Sequence, residues 1–278
     1  MQRRVAFQGE RGANSEDAVV RLFGEVEVMP CRTLPEVFAA VAAGEATEGL
    51  VPVENSRAGS IHETYDLLLD NPLFITGEIT LRISHCLQAL PGQRLEDIRV
   101  VYSHPQALAQ CDAFLSRLGA DKVAVYDTAG SARMLRDQGL AGAAAIASRR
   151  AASIYGLEIL AAAIETSPDN YTRFYAIGPR PAQRTPRSKT ALVLATQDRP
   201  GALFWCLGGL AYRQVNMSKL ESRPSRRQPW EYVFYLEVEG HPEEEPLREA
   251  LAELTTKTTM LRVLGAFPPA AGAEPPTA

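Results

Sequence analysis

Asp169-Asn170-Tyr171-Thr172-Arg173-Phe174, running on into Tyr175-Ala176-Ile177-Gly178, is the stretch whose reading decides the architecture. It closes a long alternation of strand-like and helix-like segments and stands just before a Pro/Arg-rich break. The polar residues 167–170 lead into β-formers, which puts Thr172 at the mouth of a strand. Successive strand side chains point to opposite faces, so Thr172 and Phe174 are expected to share one face and Arg173 to take the other. Taken alone, this is an ordinary closing strand with a Thr chosen for β-propensity. The polar residues placed elsewhere in the chain suggest more.

Upstream, residues 4–8, 25–29, 49–53, 78–87, 100–102, 123–126, 143–147 and 157–164 read as strands. Helical segments lie between them. Asn14 is a good N-cap for a helix with Ala18, Val19, Leu22 and Phe23 on one face. Thr33 and Glu36 form a capping box with Pro35 in the first turn, and a single helix is expected from Pro105 to about Leu118. Such alternation predicts βαβ units around a mainly parallel sheet.

Polar residues recur where strands lead into helices: Ser15, Glu54-Asn55-Ser56, Ser103-His104-Pro105-Gln106, Gln110, and Thr128 to Ser131. Thr172-Arg173 joins them. That edge of an open α/β sheet is where ligands bind. These side chains are mostly neutral hydroxyls and amides, several at helix starts, where free N–H groups and the dipole attract anions. The set suits a small di-anion whose reaction needs hydrogen-bond donors more than a strong nucleophile. Asn14 or Ser15, Ser103 and Thr128 would also serve as simple caps.

Residues 179–188 (PRPAQRTPRS) have no apolar periodicity and read as a linker. Beyond them, residues 189–267 give the order βαββαβ, the ferredoxin-like module, with Tyr232, Phe234, Leu236 and Val238 on one strand face. Residues 224–229 read as a polar hairpin loop, and 268–278 as a disordered Pro/Ala-rich tail.

Composition narrows the function classes. The 278 residues are 46% hydrophobic and 22% charged, ordinary for a globular protein with room for two domains. A net charge of -4 argues against a nucleic-acid or anionic-membrane binder. No apolar run reaches the ~18 residues of a membrane span. The first residues run straight into a strand with no signal-like segment, so a cytoplasmic protein is expected. Cys31, Cys86, Cys111 and Cys206 are scattered, as are His62, His85, His104 and His241, so no metal-ligand spacing exists. There is no GxSxG elbow, no paired carboxylate at fixed spacing, and Gly9-Glu10-Arg11-Gly12 is not a dinucleotide fingerprint.

In order along the chain, GERGANSEDA (9–18), PVENSRAGSIHETYDLLL (52–69), GEITLRISHCL (77–87), YSHPQALAQC (102–111) and NYTRF (170–174) resemble prephenate dehydratase. GALF (201–204) and LESRP (220–224) resemble that family's ACT regulatory domain. The resemblance covers about residues 4 to 267. It implies a two-lobed catalytic region, similar to periplasmic binding proteins, with a central cleft and residues 1–178. Lobe one would be about 1–78 plus 164–178, and lobe two about 79–163. An ACT domain over 189–267 would follow the linker.

The implied reaction is conversion of prephenate to phenylpyruvate, carbon dioxide and water in phenylalanine biosynthesis, without cofactor or metal. Thr172 takes the place of the family's catalytic Thr, with Asn55 and Ser103 beside it. Ser15, Glu54, Ser56, Gln110, Thr128, Ser131 and Arg173 would bind substrate. Many members carry Thr-Phe where this chain has Ala13-Asn14, and Ala there also occurs in relatives that prefer arogenate, so arogenate dehydratase is the alternative. A non-enzymatic small-anion or amino-acid binding protein is the competitor from another class, because two-lobed clefts often only bind.

For the second domain the resemblance implies a phenylalanine sensor using Gly201, Ala202, Leu203, Phe204, Asn216, Glu221, Ser222, Arg223 and Pro224. It also implies self-association as a dimer or tetramer. A plain dimerisation module is the simpler reading.

Overall fold

The computed structural model describes residues 3–225 and 231–270. The expected hairpin loop at 224–229 and tail at 268–278 therefore lie largely outside the described residues. The described residues fall into two compact units, one of 3–65 with 79–174 and the other of 66–78 with the described residues from 175 onward.

The chain opens with β1 (Arg4–Gln8), α1 (Asn14–Phe23), β2 (Glu27–Cys31), α2 (Leu34–Ala42), β3 (Glu48–Asn55), β4 (Gly59–Ser60), α3 (His62–Asp70) and β5 (Phe74–Arg82). β6 (Cys86–Ala89), β7 (Val100–Ser103), α4 (Pro105–Gln110), α5 (Asp112–Leu118), β8 (Asp121–Ala124), α6 (Thr128–Gln138), β9 (Ala143–Ala147), α7 (Arg149–Tyr155) and β10 (Glu158–Ala162) follow. β11 (Tyr171–Gly178) is the closing strand. One sheet has the order β2-β1-β3-β11-β5, with β4 pairing on β3, and a second has β10-β6-β9-β7-β8.

Apolar runs explain which strands are central. β1 and β9, nearly all Val, Ala, Ile and Phe, are covered on both faces. β8 is exposed at all four residues and sits at the sheet edge. The pairings of β1 with β2 and β3, and of β7 with β8 and β9, are parallel. Those of β6 with β9 and β10 are antiparallel, so the second sheet is mixed rather than mainly parallel.

Three local expectations change. Residues 78–87 form two strands, not one, because the chain leaves the first sheet at Arg82 and enters the second at Cys86. The alternation Ile79–Leu81–Ile83 runs one residue beyond the end of β5 and masks the break. The helix expected from Pro105 to Leu118 is split at Cys111 (φ -103, ψ 13). Asn14 is the first helical residue and Ala13 occupies the N-cap, with no side-chain cap. Thr33 does cap α2, accepting from the Glu36 N–H, while Glu36 turns its carboxylate to the N–H of Arg32.

The loop before α1 is fastened to the second sheet's helices within the first unit. Ser148 Oγ donates to Gly12 O (2.6 Å), Tyr155 Oη donates to Arg11 O (2.7 Å), and Arg133 pairs with Glu10 (2.7 Å). Tyr126 Oη donates to Glu10 Oε1 (3.1 Å), and burial with the nearby Asp127 and Glu10 carboxylates pushes its pKa up to about 12. Gly12 has φ +86, and a Cβ there would stand 2.7 Å from Ala151 Cα, so only glycine allows this approach.

In the second unit, β12 (Lys189–Ala195), α8 (Ala202–Tyr212), β13 (Met217–Pro224), β14 (Tyr232–Glu239), α9 (Leu247–Lys257) and β15 (Met260–Phe267) form a sheet of order β13-β14-β12-β15. Its pairings are antiparallel, which is the ferredoxin-like topology. Leu192, Leu194, Leu236 and Val238 meet Cys206, Leu210, Leu247 and Leu254 in its core.

The opposite face of this sheet is also used. Tyr235 and Glu237 are buried, and Tyr175 Oη donates to Glu237 while its ring packs edge-on to Phe267 at 5.6 Å. Residues 66–78 are gripped by the same unit. Arg223 pairs with Asp66 (3.0 Å), and Lys189 bridges Glu78 and Glu237. The Arg262 guanidinium donates to the carbonyls of Leu69, Asn71 and Leu73. Gly265 lies so close to Ile75 that a Cβ would meet main-chain atoms at 2.1–2.9 Å.

Candidate active site

A cavity of about 180 Å³ in the first unit gathers residues from six segments: Asn14 and Ser15, Pro52 and Asn55, Ile83 and His85, His104 with Gln106, Ala107 and Gln110, Thr128, and Asn170 with Thr172 and Phe174. Thr172 and Phe174 both line it and Arg173 does not, as strand alternation requires. Among the described residues its lining carries no Lys, Arg, Asp or Glu. The starts of α1 and α6 reach it through Asn14, Ser15 and Thr128; α6 is capped by Asp127, whose carboxylate accepts from the Gly130 N–H (2.6 Å).

At the centre is Asn55, 8% exposed on the last residue of β3. Its Oδ1 accepts from the main-chain N–H groups of Arg57 (3.0 Å) and Ala58 (2.9 Å). Main-chain donors cannot be exchanged, so they fix the amide: Nδ2 faces the other way. There it donates to Thr172 Oγ1 (2.9 Å), Asn170 Oδ1 (2.9 Å) and Tyr171 O (3.1 Å). Thr172 Oγ1 is thus an acceptor towards Asn55, and among the described residues its own hydrogen has no acceptor. That hydrogen is available to a ligand.

The chain of amides continues. Asn170 Nδ2 donates to Gln110 Oε1 (3.0 Å), which also lies 2.8 Å from His85 Nε2. His85 is 3% exposed, and its main-chain N–H donates to Glu165 (2.9 Å). Burial pushes the imidazole pKa below its usual value, against smaller upward pulls from Gln110 and the Glu165 carboxylate.

Of the residues expected from sequence, Thr172, Asn55, Ser15, Gln110 and Thr128 line the cavity. Ser103 is fully buried, and its hydroxyl donates to Ile146 O (2.7 Å), tying β7 to β9. Ser103→Ala is accordingly expected to lower stability by about 1 kcal/mol and to leave turnover within a few-fold, read from chemical denaturation and steady-state rates. Ser131, also fully buried, donates to Thr128 O (2.5 Å) inside α6. Ser56 Oγ donates to Asp169 O and accepts from the Tyr171 N–H, locking the β3 end to the NYTRF strand. Glu54 is half-buried, opposite Ser60, outside the cavity lining.

His104 and Gln106, from the polar stretch 103–106 noted in the sequence, also belong to the lining, as do Asn170 and His85, which were not singled out as site residues. The polar pair Ser84-His85, interrupting an apolar alternation, was the available signal for His85. No group of three or more His, Cys, Asp or Glu among the described residues could hold a metal ion. No described helix is long and apolar enough to cross a membrane.

Of the residues expected in the second unit, Gly201 (φ +81) starts α8 beside Ala202 and Leu203, with Phe204 exposed at 67%. Asn216 lines a separate cavity of about 690 Å³ with Lys189, Glu239 and Glu244. Glu221, Ser222, Arg223 and Pro224 lie on β13, where Arg223 is turned inward to Asp66.

A family model described as prephenate dehydratase matches residues 5–182. The chain is 44% identical over 276 residues to arogenate dehydratase/prephenate dehydratase 2, chloroplastic, of Arabidopsis thaliana, covering 95% of this chain and 72% of that one. It is 40% identical over 270 residues to the bifunctional N-acyl-homoserine lactone acylase/prephenate dehydratase of Komagataeibacter europaeus, covering 96% of each. The prephenate dehydratase of Arthrobacter aurescens, solved in complex with L-Phe, matches with a TM-score of 0.88 at 33% identity, covering 99% of this chain and 92% of that one. These likenesses extend over the whole catalytic region that frames the Thr172 cavity, and the chain belongs to the prephenate dehydratase family.

Proposed function

We propose that this chain converts prephenate to phenylpyruvate, carbon dioxide and water in the Thr172 cavity. The observation that carries the reading is the Thr172 hydroxyl, its oxygen occupied by Asn55 and its hydrogen free, in an uncharged cavity of small-molecule size. As the ring carboxylate leaves as carbon dioxide, its bond electrons pass into the ring and the C4–O bond breaks. The departing hydroxide takes a proton, ultimately from solvent, and becomes water. Thr172 donates a hydrogen bond to that oxygen as its charge grows. A threonine hydroxyl is too weak an acid to hand over its proton outright, so its part is positioning and electrostatic. Gln110, the Ser15 and Thr128 side chains and the N-terminal end of α1 hold the carboxylates. Aromatisation supplies the driving force.

Arogenate is the second candidate substrate. Ala13, 5% exposed at the N-cap of α1, leaves that helix start without a side-chain cap, and several relatives are named arogenate dehydratases. In the same reading the ferredoxin-like module is an ACT domain that binds phenylalanine and pairs with a second copy, and the enzyme works in the cytoplasm. The exposed aromatics Phe204, Trp205 and Tyr212 on α8 support pairing.

The test is phenylpyruvate formation by the purified chain, without added metal or nucleotide, with and without phenylalanine. Turnover that falls as phenylalanine rises is expected. Turnover indifferent to phenylalanine would leave the lyase and remove the sensor. Silence on prephenate with turnover of arogenate would reverse the substrate order, and silence on both would leave a binding protein.

A further inference from the structure

The amide orientations around Asn55 settle more than Thr172. The fixed N–H groups of Arg57 and Ala58 force Asn55 Nδ2 towards Asn170, so the Asn170 atom there is its oxygen. Asn170 Nδ2 must then face Gln110, and the Gln110 atom that meets it is Oε1. An acceptor cannot receive a bond from another acceptor, so the His85 nitrogen 2.8 Å from that Oε1 carries a proton. The hydrogen bonds run in one direction from two main-chain donors. The far end is a buried imidazole that contacts the same cavity. His85 Nδ1 is buried with no hydrogen-bond partner among the described residues, which fits a nitrogen that carries no proton. Gln110 Oε1 thus has two donors, and Gln110 Nε2 has no acceptor among the described residues, in a side chain that lines the cavity.

We propose that His85 is a positioning residue for the reaction: its Nε2–H pins Gln110 Oε1, so that Gln110 Nε2 is presented to the substrate as a donor. Asn170 alone holds the Gln110 oxygen by one bond, which leaves the amide free to rock about it. The second bond from His85 makes the amide plane rigid. Without it, the Gln110 oxygen can swing towards a bound carboxylate, which repels it.

For its kinetic arm this inference rests on the dehydratase reading; its spectroscopic arm does not. In the native chain labelled with nitrogen-15 histidine, and assigned by comparison with His85→Gln, the His85 ring is expected to show Nε2 protonated and Nδ1 bare near neutral pH. A ring protonated on Nδ1, or on both nitrogens, would overturn the proposal. In turnover, His85→Phe is expected to lose about tenfold in kcat/KM, the worth of one hydrogen bond. His85→Gln, whose amide can return a donor near the Nε2 position, is expected to recover to within a few-fold. A His85→Gln loss equal to that of His85→Phe would refute the proposal, as would full activity in His85→Phe. Should His85→Phe fail to fold, the glutamine variant and the spectrum still decide. Inactivity of the unsubstituted chain on both prephenate and arogenate would sink the functional reading and leave the tautomer assignment standing.

Discussion

Thr172→Ala is expected to lower turnover by two to three orders of magnitude while the chain stays folded. The lost rate and the retained fold have different causes. Removing Oγ1 takes one acceptor from Asn55 Nδ2, but Asn170 Oδ1 and Tyr171 O remain within reach, so no buried donor is orphaned. The structural cost is then about 1 kcal/mol or less. The transition state fares differently. A donor aimed at developing negative charge in a water-poor site is worth roughly 10²–10³ in rate, and Thr172 is the residue whose hydroxyl hydrogen Asn55 leaves free. Thr172→Val separates the effects further, since it keeps the shape and β-propensity and loses only the hydroxyl. Thr172→Ser should retain most of the rate. Steady-state kinetics paired with urea denaturation checks all three, and a valine variant within a few-fold of the parent would make Thr172 a strand residue and nothing more.

Gly265→Ala is expected to have the largest effect on stability, at least about 3 kcal/mol, a fall of roughly 6–12 °C in melting midpoint. The added Cβ would lie 2.1 Å from the Ile75 carbonyl oxygen and 2.8 Å from its nitrogen. Both are main-chain atoms, so no rotamer change relieves the clash. β15 cannot retreat without giving up its pairing with β12, in which Gly265 faces Ala191. Gly208→Ala is the control. It sits inside α8 with open space around its Cβ, and helix propensity alone should make it neutral to mildly stabilising. Equal melting curves for the two variants would show that the Gly265–Ile75 approach carries no energy.

The period-2 pattern at residues 171–174 placed Thr172 and Phe174 on one face, because strand geometry is local. The βαββαβ order of the second unit was legible for the same reason. What escaped was set by distance in sequence. The Ile79–Leu81–Ile83 alternation hides the switch between sheets, since one strand's end and the next strand's approach share the same period. His85 could not be seen to meet Gln110, 25 residues away, and nothing in the sequence says that Ser103 spends its hydroxyl on Ile146. Ala13 at the N-cap shows that a helix start can be held by its neighbours rather than by its own cap. The sequence offers no sign of what covers the face of β14 bearing Tyr235 and Glu237, because Tyr175 and residues 66–78 come from elsewhere in the chain.

That cover bears on how such proteins can be recombined. The ferredoxin-like module looks detachable at the 179–188 linker. Yet Tyr175, four residues before it, bonds to Glu237, and Asp66, Leu69, Asn71, Leu73, Ile75 and Glu78 are all held by side chains or main chain of residues 189–265. A hybrid cut at the linker would separate a buried tyrosine and the ion-paired Asp66 and Glu78 from partners fitted to them. A working graft has to carry residues 66–78 and 175–178 along with the module, so the unit of inheritance here is discontinuous in the gene.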